Sequence, residues 1–270
     1  MPAIRFPPLP ADTARATHSA FGKEHPYLRV EDHLRNVSFD WDMTSRASTD
    51  PELANSFLTY SLATVLQYWE DLTDLQMVNA TRTRLDLKYV LHLALNFPGF
   101  DPSTLCRFRQ LLLLDPASKD VFQTMFDQVA FFVSDPSKRL ADADVILSTV
   151  CRFRQWEAAV EAMRNAIEAL AASQPDWLRS ITLPHWYKGY GQNIPAFYNQ
   201  RTLININALL ISVGKDGKYL LDAIENSDLP SLRRIPEIQI LKRKWQYGFS
   251  KHGHHPRLCA MDCSLCVNLL

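Results

Sequence analysis

Five basic side chains fall within one short run of helical patterns: Arg82, Arg84, Lys88, Arg107 and Arg109. Guanidinium and ammonium groups neutralise phosphates, so a compact helical surface carrying several of them has the chemistry of a DNA reader. Between Val78 and Leu114 the five are opposed only by Asp86 and Asp101. A second basic run, Ser231 to Arg257, holds seven basic residues against Glu237. The whole chain has a formal net charge of zero, so the argument for an anionic partner rests on these local patches. For any single run, a solvated helix face is the plainer reading. A second constellation is Asp142 and Asp144 in LADADVILSTV, residues 140–150. Small and acidic residues alternate there before Val145, Ile146 and Leu147, which predicts a buried strand with both carboxylates on one face. Taken alone, an aspartate beside a turn is more simply solvated.

The elements that must hold the basic residues are short amphipathic helices. Leu62, Val65, Leu66 and Trp69 fall at i, i+3, i+4 and i+7, and Leu87, Val90, Leu91 and Ala94 repeat the spacing. Between them, Thr73 and Asp74 can cap a helix carrying Leu75 and Val78. Ser103 is an N-cap candidate for a helix with Leu105, Phe108, Leu111 and Leu112 inward, which leaves Arg107 and Arg109 splayed toward solvent. Asp115-Pro116 ends that helix, and Ser118 can cap the next, with Val121, Phe122, Met125, Phe126 and Val129 on its apolar face. Asp135-Pro136-Ser137 is a turn and a candidate domain boundary. Trp156, Val160, Met163, Ile167 and Leu170 mark a long helix stopped by Pro175. Gly214 and Gly217 read as a turn before a short helix through Leu220 and Ile224. The near-identical octets STLCRFRQ (residues 103–110) and STVCRFRQ (residues 148–155) have unrelated flanks, so they are two similar helix starts and no solenoid repeat.

Several motifs together carry a family resemblance. They are Leu72-Thr73-Asp74-Leu75-Gln76, then Arg82, Arg84, Asp86, Lys88 and Tyr89, then Pro98-Gly99-Phe100-Asp101, Ser103, Leu105, Phe108 and Arg109. This arrangement resembles the InsH-like N-terminal domain of bacterial insertion-sequence transposases of the DDE class. Thr73 stands where that family has Ser, and Leu75 where it usually has Arg. Further matches to its patterns are SQPDWLRSITLPHWYKGYG (residues 173–191) and VGKDGKYLLDAI (residues 213–224), so the resemblance spans roughly residues 3–246. It implies that Lys138 and Arg139 precede the first strand of an RNase H-like core, with Asp142 as the first DDE carboxylate. Asp142, with Asp144, would be a ligand for the Mg²⁺ that this class uses to activate the nucleophile and stabilise the leaving oxygen. The second Asp and the Glu have no matching motif, so a complete catalytic site is not expected.

The resulting expectation is a mainly α chain. It comprises an extended lead-in over 1–50 and a helix-turn-helix-like DNA-binding domain over 51–135. The opening of an incomplete RNase H-like α/β core with a helical insertion follows over 138–250, and then an unrelated tail over 251–270. In that tail, His252, His254, His255, Cys259, Cys263 and Cys266 invite a zinc reading, but their spacing fits no known knuckle. The partner implied is double-stranded DNA at inverted-repeat ends, with self-association as a homodimer, and neither a membrane nor a small-molecule substrate. No signal-peptide pattern opens the chain, and no uncharged run reaches membrane-helix length, so the expected location is cytoplasmic. The expected function is a C-terminally truncated transposase that binds element ends without a complete active site. The alternatives are a non-catalytic DNA-binding regulator derived from such a transposase, and an inactive helical fragment.

Overall fold

In a computed structural model the chain is described over residues 3–40, 56–191 and 206–249. The fold is mainly helical, as expected. Among the described residues the β structure is one antiparallel pair of two-residue strands, β1 (Ala3–Ile4) and β2 (Phe39–Asp40). The described chain divides into two compact units, with the division between Val150 and Cys151.

The first unit begins with α1 (Ala11–Ala20) and α2 (Pro26–Leu34) and is built around α3 (Phe57–Glu70). Every residue of α3 from Phe57 to Tyr68 is buried, so this helix has no solvent stripe and forms the axis of the core. The chain leaves α3 through Asp71, which adopts the left-handed conformation with φ 55°. Lys138 closes that end by donating Nζ hydrogen bonds to the carbonyls of Tyr68 (2.9 Å) and Trp69 (3.1 Å) and pairing with Asp71 at 2.7 Å. A cation at a helix C-terminus meets both unpaired carbonyls and the negative end of the dipole.

Next come α4 (Asp74–Thr83) and α5 (Leu85–Val90), separated by Arg84 alone. The expected cap of α4 is present as a full capping box. Thr73 Oγ1 accepts from Gln76 N–H, and Gln76 Oε1 accepts from Thr73 N–H. Helix α5 is shorter than its pattern predicts, because His92 turns into the left-handed region at φ 55° and leaves Ala94 outside the helix. Helix α6 (Pro102–Leu114) is capped by Asp101 rather than by Ser103. Pro102 occupies N1, and Asp101 Oδ1 accepts from the backbone N–H groups of Ser103 (2.7 Å) and Thr104 (3.2 Å). Helix α7 (Pro116–Val129) also has a proline at N1 after an aspartate, but Asp115 makes no side-chain cap, and Ser118 Oγ donates to its carboxylate at 2.6 Å instead of capping the helix. Phe122, Met125, Phe126 and Val129 are buried as the pattern required. A 3-10 turn (Ala130–Phe132) and the short α8 (Pro136–Arg139) follow.

The strand expected over residues 140–150 is a helix. Helix α9 runs unbroken from Ala143 to Ser173, 31 residues. Asp142 starts it, with its carboxylate accepting from Val145 N–H at 2.8 Å and its carbonyl accepting from Ile146 N–H at 3.0 Å. Ile146, Leu147 and Val150 join the core of the first unit, whereas Phe153, Trp156, Val160, Met163 and Leu170 belong to that of the second.

The second unit adds α10 (Pro175–Ile181), α11 (Trp186–Tyr190), α12 (Ile206–Glu225) and α13 (Pro236–Gly248). Gly214 and Gly217, expected in a turn, lie inside α12. A Cβ at Gly217 would sit 2.1 Å from the Trp245 ring, and one at Gly214 would sit 2.8 Å from Phe249. The two missing side chains form a slot on one helix face, and Trp245 fills it, donating its indole N–H to the Gly214 carbonyl at 3.0 Å. Close helix packing thus explains the glycines, and no turn is needed.

Candidate nucleic-acid interface

The five basic residues singled out in the sequence do not share one environment. Arg109 is fully buried (0% exposed) on α6. Its Nη2 donates to Asp74 Oδ2 at 2.6 Å, and its Nη1 to Gln67 Oε1 at 3.3 Å. Gln67 Nε2 donates in turn to Asp74 Oδ1 at 3.0 Å. This closed network joins α3, the first turn of α4, and α6. The expectation that Arg109 splays toward solvent is therefore overturned. Residues 105, 108, 109 and 112 make one helical stripe, and Arg109 lies inside it.

Arg84 is also engaged. It bridges Glu70 and Asp86, with Nη2 2.7 Å from Asp86 Oδ2 and Nη1 paired to Glu70, and it lies over the Tyr27 ring at 5.8 Å. The Tyr27 hydroxyl donates to the same Glu70 carboxylate. Burial, and then the negative charge of Glu70, push the Tyr27 hydroxyl well above its ordinary pKa, so it stays protonated and donates to Glu70. Lys88 is buried, and its ammonium donates to the Leu95 carbonyl, tying down the loop after α5. Arg109 and Arg84 thus hold helices together, and Lys88 fixes a loop.

Arg82 and Arg107 differ: both are exposed. Arg82 ends α4, and its aliphatic stem crosses Gly99, where a Cβ would lie 2.7 Å from Arg82 Cγ. Gly99 itself has φ +96°, so Pro98-Gly99-Phe100 requires glycine both for its turn and for this approach. Arg107 stands on α6 with Nη2 donating to Thr104 Oγ1 at 3.2 Å. In the second basic run, Arg233 and Lys242 pair with Glu225 at 3.3 and 2.6 Å, while Arg243 is exposed.

A polar cluster that sequence reasoning missed lies under the N-terminal segment. The Glu31 carboxylate, fully buried, receives Arg35, the Tyr89 hydroxyl (3.2 Å) and His92 Nε2 (3.3 Å). Burial opposes its charge, but the hydrogen bonds from His92 and Arg35 outweigh that cost and hold the carboxyl down at about 2. The family motif held the signal in Tyr89, an aromatic hydroxyl on a buried helix face, but its partner lies 58 residues away.

Asp142 and Asp144, the carboxylates expected to bind Mg²⁺, lie at the start of α9. Asp142 is spent on its helix cap, and Asp144 extends to Lys119 at 3.1 Å. The described residues contain no group of three His, Cys, Asp or Glu side chains arranged to hold a metal ion. The His and Cys residues of the tail lie outside the described residues. Trp186 and Tyr190 are packing residues of the second unit. Tyr190 donates to the buried Asp216 at 2.7 Å, and His185 meets the same carboxylate at 2.9 Å.

Residues 17–111 match the family model described as a transposase domain (DUF772). The matched span lies wholly within the first unit, from α1 to the last turn of α6, and it supports a transposase-related function. No curated protein and no solved structure matches the chain. Among the described residues, no helix is long and apolar enough to cross a membrane.

Proposed function

We propose that the chain is the DNA-engaging part of an insertion-sequence transposase of the DDE, InsH-like type, reading the inverted-repeat ends of its element. The match of residues 17–111 to a transposase domain carries this reading. Within the domain, Arg82 and Arg107 are the phosphate contacts, because they are the two exposed residues among the five basic positions. Helices α4 and α6 then serve as a helix-turn-helix-like reader. The Gln67–Asp74–Arg109 network and the Arg84 bridges fix how those helices present their outer faces. No Mg²⁺ step belongs to this reading, in which Asp142 caps α9 and Asp144 pairs with Lys119.

The test is fluorescence anisotropy with a labelled duplex carrying the inverted repeat beside the coding sequence, against a scrambled duplex, over a salt series. Binding should weaken with salt at a log–log slope of about −0.9 per phosphate neutralised. Arg82→Ala with Arg107→Ala should flatten that slope and leave the melting temperature unchanged. Equal affinity and slope for this double variant would remove the two arginines from the interface. Absence of any duplex binding by the wild-type chain would remove the function.

A further inference from the structure

The corner between α7 and α8 exposes an aromatic surface that the core does not use. Phe131 is 56% exposed, although it is a large apolar side chain at a 3-10 turn. Its ring stacks at a tilt on Phe132, with centroids 4.0 Å apart. His33 of α2 meets Phe131 edge-on at 5.3 Å and Phe132 at 5.8 Å, and its Nε2 is steadied by Gln128 Oε1 at 3.4 Å. The Arg29 guanidinium lies over Phe132 at 5.7 Å. Arg139, also exposed, donates Nε to the Val133 carbonyl at 2.7 Å, at the far end of the same turn. Of the exposed acids of α2 and α7, Asp32 pairs with Arg35 at 3.3 Å and Asp127 accepts from Gln123 at 2.8 Å.

We propose that Phe131, backed by Phe132 and His33 and rimmed by Arg29 and Arg139, is a stacking platform for an unpaired base of single-stranded DNA. The proposal rests on the DNA-binding reading above and adds a second mode to it. An aromatic face with a bare π surface takes a base of any identity, and flanking guanidiniums take its phosphates. Duplex bases are already stacked on one another, so an intact duplex offers this ring nothing to cover. The charge of the rim selects a polyanion over an apolar protein partner.

The experiment measures anisotropy of a labelled oligothymidylate of about 20 nucleotides alongside the inverted-repeat duplex. The proteins are wild type, Phe131→Ala, Phe131→Trp and Arg29→Ala. Phe131→Ala should weaken oligothymidylate binding roughly 5- to 150-fold, the loss of one stacked base, while duplex binding is unchanged. Phe131→Trp should restore it. Arg29→Ala should flatten the single-strand salt dependence by about 0.7 in slope. Single-strand affinity unchanged in Phe131→Ala would overturn the platform, as would wild-type protein that binds duplex but no single strand. Sedimentation showing a wild-type dimer that Phe131→Ala dissociates, with DNA affinities intact, would make the corner a contact between copies and also overturn it. Wild-type protein binding neither DNA would fail the broader function and this proposal together.

Discussion

Asp74 and Arg109, 35 residues apart in sequence, form a 2.6 Å ion pair with side chains 1% and 0% exposed. Both belong to the motif that gives the chain its family resemblance, and neither is available to DNA. Removing one partner strands the other charge in the core, a change that costs about 3–5 kcal/mol. Arg109→Ala should therefore lower the urea midpoint sharply or prevent folding. Arg109→Lys should not rescue it, because one ammonium cannot span Asp74 and Gln67 as the guanidinium fork does. A near-neutral Arg109→Ala would contradict the buried network.

Glu31 makes stability depend on acid. Its folded carboxyl titrates at about 2, below the ordinary value of 4.5, so its contribution is complete above pH 4.5. The contribution is lost as pH falls from there toward 2, where the folded-state carboxylate takes up its proton. Denaturation at pH 7, 4 and 3 should show stability falling at each step. Glu31→Gln should be less stable at pH 7 and should show a shallower fall. Parallel curves for the two proteins would disprove the assignment.

Asp142 offers a clean contrast between a cap and a metal ligand. Asparagine caps a helix about as well as aspartate does, whereas alanine costs about 0.5–2 kcal/mol. Asp142→Asn should thus melt like wild type and Asp142→Ala should melt earlier. A ligand role predicts the reverse emphasis, with both variants equally impaired in Mg²⁺-dependent cleavage of element-end DNA.

Gly217 should not tolerate a methyl group. A Cβ 2.1 Å from the Trp245 ring forces the indole out of its slot and away from the Gly214 carbonyl. Gly217→Ala should lose about 1–3 kcal/mol despite alanine's better helix propensity. Combining it with Trp245→Leu should be less damaging than adding the two single losses, since the clash is then gone.

These outcomes show which features were legible in the chain. Apolar spacing located α3, α7 and the long run from Trp156 to Leu170, because burial imposes periodicity directly. Residue type misled where it disagreed with spacing. Arg109 completes the stripe Leu105, Phe108, Arg109, Leu112, yet an arginine reads as solvent-facing until its partner Asp74 is found on another helix. Asp142 illustrates a different loss. The run Val145-Ile146-Leu147 suits a strand or a helix equally, and the capping aspartate three residues earlier was the signal that separated them. Gly214 and Gly217 read as a turn because a glycine's lack of a side chain carries no record of whether backbone freedom or close packing required it. The Glu31 cluster was out of reach, as its members are scattered over three elements with no local spacing.

Arg82 carries a consequence through Gly99. Its stem, at Cγ and Cδ, passes close over a residue that has no side chain, which restricts the rotamers of that part of the chain once the domain folds. A flexible surface arginine loses that freedom only on meeting its ligand, at about 0.5–1.5 kcal/mol per side chain. If Arg82 meets phosphate as proposed, Gly99 moves an entropic cost from the binding step to the folding step, and a bulkier residue there would loosen the guanidinium before any phosphate arrived.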